Sequence, residues 1–240
     1  MKETIYTIPV TEAFEKDCEC PLCELKNRFE KDTVEYFIGP SLMQPETRIE
    51  TNDTGFCARH FEQMYATQAN RLGLGLMLDT YLHEQISRLK KLAETQKNLK
   101  SSEKNSLFGK SKSPKNDLIV EYLHEHKTKC AICNKLNYTM KRYTEIIFQL
   151  YFSDREFNNK FKSCKGFCLP HLEMLLSESK KINNASKHSE FTNIVMDIEL
   201  SNLERIEKEV DWFTKKFDYR NQEAPWGNSK DALPRGINKM

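Results

Sequence analysis

The chain has 240 residues, of which 38% are hydrophobic and 30% charged, with a formal net charge of +2. That length can bury one large core or two small ones, and the balance is that of a soluble globular protein with a thin core. The longest apolar run, Leu72 to Leu78, is far short of the ~20 residues a membrane-spanning helix needs. Eight glycines and eight prolines are too few for a many-turned all-β fold.

Met1-Lys-Glu-Thr-Ile-Tyr6 has no apolar stretch after its basic residue, so no secretory signal is expected. Ile5-Tyr-Thr-Ile-Pro9 is too short for a strand and carries a proline. Cys20-Pro-Leu-Cys23 leads into a helical stretch from Glu24 to Ile38, which Gly39-Pro40 stops. Gly55-Phe56-Cys57-Ala-Arg-His60 opens a further helix lined by Phe61, Met64 and Tyr65. An amphipathic helix then runs from Leu72 to Gln96 through Leu78, Leu82, Ile86 and Leu89.

Residues 95–116, rich in Lys, Ser and Asn, read as a flexible linker. Six lysines and one acid between Lys97 and Lys115 give it a local +5, leaving about −3 for the rest, unlike the broad basic face of a DNA-binding domain. His124 and His126 offer a labile extra metal site or, more simply, surface histidines. Cys130-Ala-Ile-Cys133 leads into a helix from Asn134 to Asp154, whose apolar face is Leu136, Tyr143, Ile146, Ile147 and Leu150. Gly166-Phe167-Cys168-Leu-Pro-His171 opens a helix lined by Leu172, Leu175 and Leu176, and a long helix from Glu190 to Lys216 follows. The tail, 218–240, reads as irregular, with Trp226 anchoring it by burial.

This order contains a repeat. The C-x-x-C of Cys20 and Cys23 recurs at Cys130 and Cys133 with an offset of 110, and the G-F-C-x-x-H of Cys57 and His60 recurs at Cys168 and His171 with an offset of 111. Four ligand-type residues thus repeat in order and register. Two intervening residues let a tight turn aim both side chains at one ion, and zinc favours four thiolate and imidazole ligands in structural sites. The sequence assigns Cys20, Cys23, Cys57 and His60 to one zinc, and Cys130, Cys133, Cys168 and His171 to another. Gly55 and Gly166 supply the turn before the third ligand. The same thiolates also allow an iron–sulfur cluster. Cys18 and Cys164 have no counterpart in the other copy and are left out.

The expected architecture is all-α: a first repeat over 1–94, the linker 95–116, a second repeat over 117–217 and the tail 218–240. The two repeats form a pseudo-two-fold pair, each stapled by its own Cys3His site. Eight cysteines without a secretory signal point to a reducing cytoplasm and metal binding rather than disulfides. No Walker A loop, dinucleotide G-x-G-x-x-G, H-E-x-x-H or G-x-S-x-G occurs, and no catalytic residue is assigned. The expected function is a cytosolic zinc-binding module with a protein partner and two structural sites. The rivals are a thiol-based redox or zinc sensor, with Cys18 and Cys164 as resolving thiols, and a nucleic-acid-binding zinc-knuckle protein.

With its duplicated motif, its opening Ile5-Tyr-Thr-Ile-Pro-Val-Thr-Glu-Ala-Phe-Glu15, Tyr36-Phe-Ile-Gly-Pro-Ser-Leu-Met43, Arg48-Ile-Glu-Thr-Asn52 and its ending Pro225-Trp-Gly-Asn-Ser-Lys-Asp-Ala-Leu-Pro234, the chain resembles a family of uncharacterised proteins from anaerobic Gram-positive bacteria. The resemblance implies a domain family over nearly the full chain, with no activity and no catalytic residue to carry over.

Overall fold

The computed structural model describes residues 5–104 and 117–240, with the side chains of 100–104 left aside. Every regular element among the described residues is helical. In chain order these are α1 (Thr7–Glu15), α2 (Pro21–Ile38), α3 (Pro45–Thr54), α4 (Ala58–Ala66), α5 (Arg71–Lys104), α6 (Leu118–His126), α7 (Ala131–Ser153), α8 (Arg155–Ser163), α9 (Leu169–Ser179), α10 (Ala185–Lys215) and α11 (Ala232–Ile237), with three short 3-10 turns. None of them is long and apolar enough to cross a membrane.

Pro9 does not prevent α1, because it lies in the first turn, where its missing N–H has no helical partner to lose. Val10, Ala13 and Phe14 then fall on one buried face. Three helices start at side-chain caps: Asp117 accepts from Ile119 N and Val120 N, Asp154 from Phe157 N, and Asn184 from Lys187 N. Residues 95–104, expected to begin a linker, continue α5; the remainder of that segment, 105–116, lies outside the described residues. The tail is more ordered than its composition suggests. Trp226 is half-buried between Phe213, 5.9 Å away, and the Lys216 ammonium, 5.2 Å from its ring centre, and the chain then forms α11.

The chain divides into two compact units, Met1–Arg28 with Tyr138–Met240, and Phe29–Asn137. Both boundaries fall inside a helix, one in α2 and one in α7. The units therefore do not follow the two sequence repeats: each takes its C-x-x-C from one repeat and its C-x-x-H from the other. The first unit packs Phe14, Phe157, Phe161, Phe167, Tyr151 and Phe191 into an aromatic core, with Phe161 within 5.5 Å of Phe14, Tyr151 and Phe191. The second unit is built on Phe37, Phe56, Met64, Met77, Ile132 and Leu136.

Candidate metal centres

Each of the four ligand motifs begins a helix. Cys20 immediately precedes α2, Cys57 precedes α4, Cys130 precedes α7 and Cys168 precedes α9. The second residue of each motif, Cys23, His60, Cys133 or His171, is therefore the third residue of its helix. From these positions both side chains lean over the helix start, toward the unpaired N–H groups and the positive end of the helix dipole. The two glycines turn the chain as their spacing predicts, since Gly55 (φ +63°) and Gly166 (φ +81°) adopt left-handed backbone two residues before the cysteine.

The structure gathers the eight residues into two groups, and the grouping corrects the pairing inferred from sequence. Cys20 and Cys23 meet Cys168 and His171; Cys130 and Cys133 meet Cys57 and His60. Within each group the ligand atoms all lie within 4.8 Å of one another. The cause is the length of the helix that follows each C-x-x-C. α2 has 18 residues and α7 has 23, so they carry the chain ~27 and ~35 Å from their own cysteines. Both helices cross from one unit into the other, and the next motif follows in the unit they enter. Each repeat is thus not stapled by a site of its own.

In the first unit, His171 Nδ1 lies 3.5, 3.3 and 3.1 Å from the sulfurs of Cys20, Cys23 and Cys168, and Cys168 Sγ is 3.9 and 3.5 Å from Cys20 and Cys23. In the second, His60 Nδ1 lies 3.1, 3.2 and 3.5 Å from Cys57, Cys130 and Cys133, with Cys57 and Cys133 4.0 Å apart. A tetrahedral zinc, with bonds of ~2.3 Å to sulfur and ~2.0 Å to nitrogen, holds its ligands ~3.8 Å apart for two sulfurs and ~3.5 Å for sulfur and nitrogen. The donors fit a single ion of that kind. All eight cysteines are free of disulfides.

The thiols resist sharing this space without a cation. Hydrogen bonds from Cys20 and Cys23 hold the Cys168 thiol far below its usual range as a thiolate. The reciprocal contact with Cys168 drives Cys20 far up, and the same contact, with burial, pushes Cys23 up to about 11. Burial and then Cys130 push Cys133 up to about 12. Three thiolates side by side repel one another, and a divalent ion reverses that balance.

The imidazole of His60 is oriented from behind. Its Nε2–H donates to Glu30 Oε1 at 3.0 Å, which leaves the Nδ1 lone pair facing the sulfurs. Glu30, itself buried, also accepts from Arg59 at 2.7 Å on both oxygens. Sequence reading missed Glu30, which sits on α2 among solvated acids; nothing local marks its contact with a histidine 30 residues on. Beside the first unit's group lies a cavity of about 440 Å³, lined among others by Cys18, Cys20, Cys23, Lys165 and Arg235, a path by which an ion can reach the sulfurs. Among the described residues, neither His124 nor His126 joins a ligand group. His126 stacks against Tyr81 and Tyr122 and hydrogen-bonds Tyr81 Oη.

The helical frame and its two Cys3His groups define an all-α protein with two places where a metal ion could be held. The chain belongs to DUF6062, a family of unknown function whose model matches residues 1–240. No curated protein and no solved structure matches the chain.

Proposed function

We propose that the protein is a zinc-binding module of the cytoplasm in which both Cys3His centres are structural. The observation that carries this reading is the donor spacing: in each group three sulfurs surround one imidazole nitrogen at 3.1–3.5 Å, with all four donors within 4.8 Å of one another, which leaves room for one tetrahedral ion. An iron–sulfur cluster places several atoms between its thiolates and holds them farther apart. Zinc with three thiolates and a neutral imidazole carries about −1, and the two helix N-termini at each centre, ~+0.5 each, offset it. Four protein ligands leave no open position for water or substrate, which favours scaffolding over catalysis. The module's role is then to present its surface to a protein partner.

The thiol-sensor reading receives less support. Its resolving thiols would be Cys18 and Cys164, and burial raises both, Cys164 to about 11, away from the thiolate that exchange requires. The nucleic-acid reading leans on the lysine-rich segment and predicts steeply salt-dependent binding to DNA or RNA.

Elemental mass spectrometry of the full chain, purified anaerobically, with an absorbance scan, tests the reading. Two zinc per chain and no visible absorption are expected. Iron with acid-labile sulfide, or a folded chain holding no metal, would overturn it.

A further inference from the structure

Lys239 has no solvent exposure, a costly place for an ammonium unless every proton is used. All three are: Nζ donates to the carbonyl oxygens of Glu19 at 2.9 Å, Lys165 at 2.6 Å and Phe167 at 3.3 Å. These acceptors are not scattered. Glu19 directly precedes Cys20, while Lys165 and Phe167 belong to the loop that ends at Cys168. The main chain joins the same clamp, because the Lys239 carbonyl accepts from Leu169 N, the first residue of α9, at 2.8 Å.

The counter-charges are built in. Glu199 and Glu19 each place a carboxylate oxygen 3.9 Å from Nζ, and Glu199 Oε2 accepts from Phe167 N at 2.6 Å. Glu19 is itself held by Arg205 at 2.6 Å and Arg235 at 3.3 Å, which links the C-x-x-C loop to α10 and α11. Gly166 lets the clamp close: a Cβ there would stand 2.6 Å from Glu199 Oε2 and 3.1 Å from Lys239 Nζ.

We propose that Lys239 is a positioning residue for the first unit's metal centre. Its ammonium ties the loop carrying Cys20 to the loop carrying Cys168 at the separation that makes the four donors one group. The proposal rests on the reading that this group binds a metal. Two loops that each bring thiolate charge repel, and a buried cation bonded to both offsets that repulsion. Because coupling is reciprocal, docking of Ala232–Lys239 favours the bound ion and the ion favours docking. The second unit's centre is tied in another way, by Ala131 N donating to the Gly55 carbonyl at 3.0 Å and by Glu30 behind His60. Loss of Lys239 therefore acts on one centre of two.

The experiment is zinc release from the full chain against graded chelator, for wild type, Lys239→Met and Lys239→Gln, with circular dichroism on each. Cobalt-loaded samples supply visible ligand-field bands that report tetrahedral geometry. The expected result is two zinc in wild type, and in Lys239→Met one of them released at ~10–100-fold lower chelator concentration with the other unchanged. The Lys239→Gln protein, which keeps two donors, falls between. Cobalt in Lys239→Met should show the tetrahedral bands of one centre altered. Equal retention of both zincs in folded variants overturns the proposal while leaving the metal reading intact. Loss of helix in both variants also overturns it, since Lys239 would then serve the unit's fold as a whole. A wild type that takes up no zinc removes the metal reading, and this proposal with it.

Discussion

Glu30 and His60 form a carboxylate–imidazole pair with the proton on the side away from the sulfurs. Second partners of this kind typically contribute 10–100-fold to metal affinity. Glu30→Gln is accordingly expected to weaken one zinc by roughly that factor in a chelator titration and to leave the other unchanged. The glycines before the third ligand give a second expectation. An L side chain at left-handed φ costs ~1–2 kcal/mol, and at Gly55 a Cβ would fall 2.3 Å from the Tyr81 ring. Gly55→Ala should therefore lower the denaturant midpoint by at least ~1–2 kcal/mol in equivalent stability. The thiols give a third. Hydrogen bonding to Cys168, with burial, raises Cys23 to about 11, and the same contact raises Cys20, while Cys168 is lowered. Without metal, these contacts favour the protonated forms of Cys23 and Cys20; a bound ion needs all three sulfurs as thiolates. Zinc uptake by this centre should release protons near pH 7, so affinity rises as pH climbs toward 11 and is lost as pH falls. Titration calorimetry in buffers of different ionisation enthalpy counts those protons, and a count of zero would contradict the assigned thiols.

At the level of helices, the eight candidate positions that gather into the two groups stand out in the sequence because each motif is local: two intervening residues on a helix start set the geometry of each pair. Their pairing is not legible. It depends on how far α2 and α7 carry the chain before it turns, and the 110-residue repeat suggests the simpler answer of one site per copy. The long amphipathic helices are readable from their periodicity, within a few residues at their N-termini. The helix α1 is hidden by Pro9, and α11 by Pro234 and Gly236 within it, its order coming from contacts with α10, among them Arg235 with Glu209. Packing at this scale rests on aromatic rings. Phe161 on α8 is fully buried and touches Phe14, Tyr151, Phe167 and Phe191. Phe161→Ala should cost ~3–5 kcal/mol in equilibrium unfolding, far more than a change at exposed Phe217.

Over the whole molecule, the two centres join segments far apart in sequence. Cys23 and Cys168 are 145 residues apart, and His60 and Cys130 are 70 apart. Closing the longer span costs ~0.6 kcal/mol more in chain entropy, a small difference beside the ~10–16 kcal/mol that structural zinc contributes in small finger peptides. That contribution matches the net stability of a whole domain, ~5–15 kcal/mol. Chelation under reducing conditions is thus expected to remove helical signal and lower the melting temperature; a stripped chain that keeps both would refute a structural role for the metal. The spans are also nested, since Cys57 to Cys133 lies wholly between Cys23 and Cys168. Nesting sets a timetable for a chain emerging from the ribosome. At ~5–20 residues per second, His60 waits ~4–14 s for Cys130, and Cys23 waits ~7–29 s for Cys168. The inner centre can close first and the outer one only later, so the earliest cysteines to be made are the last to be covered.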